Sequence, residues 1–253
     1  MRAALFSLAC AAFAIGTTEF VIVGLLPDIG RAFGISVSTA GLLVSFYALA
    51  ITVGTPVVSA LTARLPRRAL LLALMSFFTL CNLGAGLSTA FAALLTIRIV
   101  MAVAHGVFFG LGTTVAMALV PTQKSGRAVA IMVSGLTVAM VTGVPGGTWL
   151  GDLMNWRLPF LVVAAMGEAT VVLVARRVAP EAVGTAAGLN VAAFNLGISG
   201  GSFLGGLTIS GVSALTTVYA GVALAVVGLV VVALYRWSDR PGAAHGRDAL
   251  GRC

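Results

Sequence analysis

The chain has 253 residues, of which 60% are hydrophobic and only 9% are charged, and its formal net charge is +8. Because an average soluble domain carries about 25% charged residues, this composition excludes an ordinary soluble domain and indicates a protein surrounded by lipid. The basic residues lie in short loops between apolar runs, which favours membrane topology over nucleic-acid binding as the reason for their excess.

Eight apolar segments follow one another along the chain. Each is about as long as a helix must be to cross roughly 30 Å of hydrocarbon at about 1.5 Å per residue. Segments 1 to 8 are predicted at 5–27, 40–62, 69–88, 91–119, 127–150, 158–175, 183–208 and 213–235. Arg2 before segment 1 resembles the start of a signal peptide, but no small-residue cleavage site follows, so segment 1 is predicted to be the first span.

The Lys and Arg residues are distributed asymmetrically between the two sides of this topology. Of the fifteen, twelve fall on one side, Arg31 and Arg157 fall on the other, and Arg98 lies inside segment 4. The positive-inside rule therefore predicts a multi-pass membrane protein with both termini in the cytoplasm. The membrane that we expect is a bacterial inner or plasma membrane. The polar tail at 238–253 is predicted to be disordered.

The three cysteines are Cys10, Cys81 and Cys253. They show neither a pairing pattern nor metal-ligand spacing, so we predict no disulfide and no metal site.

Three motifs stand in a recognisable order. Segment 1 contains GTTEFVIVGLLPDI (16–29), segment 4 contains RIVMAVAHGVFFGLG (98–112), and segment 5 with its loop contains GLTVAMVTGVPGGTWLGDLMNWRLPF (135–160). Together they resemble the sugar-efflux and chloramphenicol-resistance branch of the drug:proton antiporters, within the major facilitator superfamily. This resemblance covers residues 5–177, while segments 7 and 8 resemble the eleventh and twelfth helices of that family.

The resemblance implies a major-facilitator-type all-α bundle, a family with two halves of six helices and a substrate path between them. Here 1–177 corresponds to the first half, 178–237 to the last two helices of the second, and 238–253 to a cytoplasmic tail, so the family's helices 7 to 10 are expected to be missing. The implied function is export of small drug-like or sugar-like solutes, driven by a proton gradient and without a cofactor. The alternatives are a truncated membrane protein that does not transport, and a half transporter that forms a homodimer.

Ionisable side chains at membrane depth are the candidates for function, because placing them there is costly. Glu19 and Arg98 lie at similar predicted distances from the outer surface, so a pair between them is possible. The resemblance implies that both face the central cavity and serve proton coupling and substrate binding, whereas a purely structural ion pair is the alternative.

Two further ionisable residues lie near this pair in the predicted topology. His105 follows Arg98 by seven residues and therefore shares its helix face, where it would relay protons or contact substrate, or simply pack with a bond to a backbone carbonyl. Asp28 follows Pro27 at the outer mouth of segment 1. A role at the helix end is favoured for Asp28, although it occupies a family motif position.

The loop between segments 2 and 3 reads SALTARLPRR (59–68). Arg64, Arg67 and Arg68 match the basic positions of a family motif, but the motif's two glycines and its aspartate are replaced. The resemblance implies a loop that latches helix ends between inward and outward states, while the alternative is that the three arginines only set topology.

Segment 5 carries Gly143, Pro145 and Gly147 at the positions of the antiporter signature. The resemblance implies a kink that shapes closure of the cavity, and a kink without a transport role is the alternative.

An enzyme is not expected. The sequence GISGG (197–201) matches the nucleophile pattern of intramembrane serine proteases, but such a serine needs a base on a later helix, and the only later histidine, His245, lies in the tail. The chain also has no P-loop, so ATP is not expected to drive it directly.

Overall fold

A computed structural model describes residues 2–177, and every regular element in that range is helical. The helices are α1 (Arg2–Phe33), α2 (Val37–Ala40), α3 (Leu42–Leu61), α4 (Arg67–Gly86), α5 (Phe91–Ala118), α6 (Ser125–Val138), α7 (Val144–Leu153) and α8 (Leu158–Arg177), with a 3₁₀ turn at Thr122–Lys124 and a π-helical turn at Ala139–Gly143. Six stretches are long and apolar enough to cross a membrane. The all-α fold and segments 1 to 6 are thereby confirmed, whereas segments 7 and 8 and the tail lie outside the described residues.

The largest error in the predicted boundaries is at the end of segment 1, which was placed at residue 27. In the structure α1 continues through Pro27 to Phe33. It stops at Gly34, whose φ of +66° lies in the left-handed region, while the backbone N–H of Ile35 donates to the carbonyl of Gly30 at 2.9 Å. This arrangement is a Schellman motif. Glycine, rather than the internal proline, therefore ends the helix.

Segments 2 and 5 are less regular than predicted. The short helix α2 precedes α3, and the hydroxyl of its N-cap residue Ser36 accepts the backbone N–H of Thr39 at 3.0 Å. Segment 5 consists of α6, the π-helical turn and α7 in succession, which together form one apolar stretch at Thr122–Leu153.

The core of the described part lies around α1 and α5. Of the most apolar window of α1, 67% of residues are buried, compared with 22% for the stretch formed by α6 and α7. α1 packs against α6, α7 and α8, and α5 packs against α3 and α4. The two most buried helices therefore carry the motifs that contain Glu19 and Arg98.

Small residues set the approach of α7 to α1. A Cβ added to Gly143, Gly147 or Gly151 would meet Thr17, Val21 or Leu25 respectively. Both series advance by four residues in the same direction, so the two helices run parallel and one ridge of α1 fills the groove left by the glycines. Segments 1 and 5 are both odd-numbered, which agrees with chains that cross a bilayer in alternating directions.

Candidate functional site

One face of α5 carries the ionisable residues of segment 4 into the interior. Arg98, Ala102, His105 and Phe109 lie three or four residues apart, and all four are buried. Such spacing places side chains in one row along a helix. The arginine side chain is fully buried and the histidine is 3% exposed.

Arg98 is held by α1 and α3. Its Nη1 donates to the backbone carbonyl of Thr18 at 2.9 Å, and its guanidinium carbon lies 4.1 Å from the ring centroid of Tyr47. A cation over a desolvated aromatic ring contributes about 2 kcal/mol, which offsets part of the cost of burying the charge. No hydrogen-bond acceptor is in reach of Nε and Nη2 within the part of the chain that the structure describes.

The similar depth of Glu19 and Arg98 makes a direct pair between them possible. The contact between Arg98 and Thr18 places the two residues at the same depth, but the carboxylate of Glu19 faces the ring of His105. The backbone carbonyl of Thr18 points along the helix axis, whereas the side chain of Glu19 projects outward from the helix, so the two groups meet different neighbours.

Glu19, His105 and Tyr47 form a continuous row of polar groups. Glu19 Oε2 lies 3.8 Å from His105 Nε2, and the Tyr47 hydroxyl lies 3.1 Å from His105 Nδ1. If the tyrosine donates to Nδ1, the imidazole carries its proton on Nε2 and directs it toward the carboxylate. The histidine bond thus goes to a side chain rather than to the backbone carbonyl that was the alternative. All three side chains are titratable, and α1, α3 and α5 each contribute one.

Two glycines allow α3 to bring Tyr47 to this row. A Cβ on Gly106 would collide with the Thr55 side chain, and a Cβ on Gly54 would come within 2.6 Å of Val103. Because neither glycine has a side chain, the backbones of α3 and α5 approach closely.

A second group of buried polar side chains contacts Thr18, the residue whose carbonyl accepts the hydrogen bond from Arg98. The Thr18 hydroxyl donates to Asn82 Oδ1 at 2.5 Å, and Asn82 Nδ2 donates to the carbonyl of Phe78 at 2.9 Å and contacts Met101 Sδ at 3.2 Å. The Thr18 and Asn82 side chains are completely buried. These contacts connect α1, α4 and α5 next to the arginine.

Tyr47, Thr18 and Asn82 were not predicted from the sequence. Thr18 lies within the segment 1 motif but carries no charge, and Asn82 is an uncharged amide inside an apolar helix. An isolated amide or phenol inside an apolar helix needs a hydrogen-bond partner. The position of Asn82 and Tyr47 within apolar segments is therefore the sequence signal that indicates a buried polar contact.

Asp28 lies away from this cluster. It follows Glu19 by nine residues, or about 13 Å along the helix, and forms an ion pair with Arg31, whose side chain is exposed. Its contacts are therefore those of a helix end. Among residues 2–177 there is also no group of three His, Cys, Asp or Glu side chains that would hold a metal ion.

The loop arginines separate into two kinds. Arg64 is exposed in the turn between α3 and α4, and Arg67 begins α4. Arg68 donates from Nη2 to the backbone carbonyl of Ala175 in α8. This hydrogen bond from a charged donor ties α4 to α8.

Pro145 lies just after the π-helical turn Ala139–Gly143, in the first turn of α7. Proline supplies no N–H to the preceding turn, and a wider turn accommodates its ring. The signature residues of segment 5 therefore lie where the backbone changes its hydrogen-bond pattern, while Gly143 and Gly147 lie against α1.

Comparison with known sequences gives a consistent set of relatives. The family model described as Major Facilitator Superfamily matches residues 8–175. The MFS-type transporter YtbD of Bacillus subtilis is 48% identical over 65% of this chain and 41% of its own length. The inner membrane transport protein YdhP of Escherichia coli is 44% identical over 66% of this chain and 43% of its own length. A chloramphenicol resistance protein of Streptomyces lividans is 46% identical over 63% of this chain and 41% of its own length. The matches thus take in about two fifths of each relative.

Solved structures show the same fold. The crystal structure of the peptide transporter POT in complex with sulfate superposes with a TM-score of 0.60 at 14% identity, covering 92% of this chain and 51% of the other. The proton:xylose symporter XylE superposes with a TM-score of 0.58 at 14% identity, covering 83% and 51%.

Proposed function

The chain belongs to the Major Facilitator Superfamily, and from this premise we propose that it is a multi-pass membrane transporter that exports small solutes in exchange for protons. The observation that supports the proposal most directly is the buried polar row of Glu19, His105 and Tyr47 beside Arg98. Ionisable groups held inside an apolar bundle are costly and mark ion and substrate pathways.

In this proposal Glu19 is the proton-exchanging group. Its carboxylate is 7% exposed, and its nearest titratable neighbour is His105 at 3.8 Å. Loading and releasing one proton changes the net charge of the row by one unit, and that change biases the equilibrium between two conformations of the bundle. His105 and Tyr47 give the proton a route between α1 and α3.

Arg98 is the group proposed to bind the solute. Its Nε and Nη2 are buried and lack acceptors among the described residues. In a second, open conformation of the bundle, a carbonyl or hydroxyl oxygen of a solute would complete the hydrogen bonding of these two nitrogens. The neighbouring aromatic ring of Tyr47 suits an amphipathic molecule. These groups favour drug-like or sugar-like solutes with oxygen acceptors close to an apolar part, and the chloramphenicol resistance protein is a relative whose name fits that class.

Efflux driven by an imposed pH gradient tests the proposal. Membrane vesicles containing the chain are loaded with chloramphenicol, and solute movement is followed for the wild type and for Glu19→Gln. We expect proton-driven movement in the wild type and its loss in Glu19→Gln. Glu168→Gln is the matched control, because Glu168 is an exposed carboxylate in the middle of α8 and lies outside the row. Unchanged movement in Glu19→Gln would refute the coupling role.

The length of the match favours one alternative. The chain spans about two fifths of the curated relatives it matches, and in the family the solute path lies between two six-helix halves. The alternative is a half transporter: 1–177 forms one half, 178–237 supplies two further helices, 238–253 is a tail, and a second copy completes the path. Two experiments separate a transporter that acts alone from a half transporter that needs a second copy. The first is crosslinking of the chain in the membrane, and the second compares efflux by this chain with efflux by a version lengthened by four helices. Transport only by the lengthened version would mean that this chain does not transport.

A further inference from the structure

A groove of about 470 Å³ lies on the side of the bundle away from the buried polar row. α1 forms its floor, and α6 and α8 form its walls, with four residues from each helix. Because Gly135 has no side chain, the backbone of α6 lies directly against the Ala9 carbonyl of α1.

The groove lining is suited to hydrocarbon. Its two hydroxyls are already bonded within their own helices, Ser134 to the carbonyl of Ile131 and Thr170 to the carbonyl of Gly167, both at 2.7 Å. The other lining side chains are aliphatic, aromatic or sulfur-containing. A polar ligand would lose its water without gaining hydrogen bonds from these side chains, which disfavours it.

Each wall ends in a cation at the same end of the groove. Arg127 precedes the lining residue Ile131 by four residues, and Arg176 follows the lining residue Leu173 by three. Residues at these separations lie on one helix face, and both arginines are exposed. Lys124 is exposed beside them, whereas Glu168 lies on α8 eight residues, or about 12 Å, from Arg176.

The dimensions agree with a chain that lies along the helices. The lining of each wall runs over eight residues, which is seven helical rises or about 10 Å, within the roughly 15 Å of hydrocarbon in one leaflet. The volume of the groove lies in the range of about 300 to 1,000 Å³ that is common for ligand sites.

We propose that this groove binds an acyl chain of an anionic glycerophospholipid from the leaflet next to the basic loops, with the phosphate between Arg127 and Arg176. An apolar channel and a pair of cations at its end are the two features that such a lipid recognises. The site does not depend on the proposed transport activity, because none of its residues belongs to the row around Glu19.

Native mass spectrometry of the full chain, purified from bilayers of equal phosphatidylglycerol and phosphatidylcholine, tests the proposal. We expect one phosphatidylglycerol to be retained preferentially. Ala169→Phe, which fills the groove, and Arg127→Gln/Arg176→Gln, which removes the cations, should each lower this retention. Loss of two favourable charge contacts corresponds to about thirtyfold weaker binding.

Two variants serve as matched controls. Ala73→Phe adds the same bulk to an exposed position on α4, and Arg64→Gln removes an exposed arginine from the basic loop between α3 and α4. Both should retain the lipid as the wild type does. Equal retention in all variants, equal retention of the two lipids, or a bound second copy of the chain in place of a lipid would each overturn the proposal.

Discussion

Arg98 donates to the backbone carbonyl of Thr18, not to the carboxylate of Glu19 one residue further along α1. The side chain of Thr18 is itself bonded to Asn82, so the arginine is positioned through a chain of contacts that reaches α4.

Tyr47 has two separable contacts, its ring with Arg98 and its hydroxyl with His105. Tyr47→Phe keeps the ring and should lower the free energy of unfolding by about 1 kcal/mol, the usual contribution of one hydrogen bond. Tyr47→Leu removes the ring as well and should cost about 2 kcal/mol more. Thermal unfolding in mild detergent measures the difference, and equal stability of the two variants would contradict the ring contact.

The bond between Thr18 and Asn82 should appear as a coupling energy. Thr18→Val and Asn82→Leu each remove one partner, and the double variant removes both without leaving an unpaired group. Hydrogen bonds between membrane helices contribute about 0.5 to 2 kcal/mol, so a double-mutant cycle on unfolding should give a coupling in that range. Strictly additive effects would show that the bond contributes nothing to stability.

Gly106→Ala should push α3 away from α5, because the added Cβ collides with Thr55. Overpacking of this kind typically costs about 1 to 3 kcal/mol. Thr55→Ala in the same chain should restore part of the loss. Gly126→Ala is the control, since nothing lies within 4 Å of its added Cβ, and it should leave the unfolding temperature unchanged or slightly higher.

Arg68→Gln should loosen the contact between α4 and α8 by removing the charged donor to the Ala175 carbonyl. Hydrogen bonds to charged groups contribute about 1.5 to 3 kcal/mol, so amide exchange around Ala175 should accelerate by about tenfold or more. Arg64→Gln removes an exposed arginine of the same loop and should leave that exchange unchanged. Equal exchange rates in the two variants would mean that Arg68 contributes only charge.

Hydropathy located the six described spans because length and apolarity alone decide whether a helix crosses a bilayer. It placed the end of segment 1 at residue 27, whereas α1 continues through Pro27 to Phe33 and stops at Gly34. Counting residues also predicted that Glu19 and Arg98 lie at a similar depth in the membrane. It did not give their partners, because depth along a helix says nothing about the direction in which each side chain points.

The supporting residues were harder to predict for a different reason. Tyr47 and Asn82 are functional candidates only through what they touch on other helices, and those neighbours are far apart in the sequence. The signature of Gly143, Pro145 and Gly147 indicated an irregular helix, but the π-helical form of that irregularity depends on packing against α1.

The π-helical turn at Ala139–Gly143 has a consequence for how this chain tolerates changes in length. A π turn contains one residue more than the α-helical turn it replaces, so removing a single residue there would restore a regular helix. The wider turn absorbs its extra residue, so the rest of α7 would keep its orientation about the helix axis. Gly147 and Gly151 would stay against Val21 and Leu25. A one-residue deletion in this turn should therefore be tolerated better than a one-residue deletion in the middle of α5, where the residues that follow would rotate by about 100°.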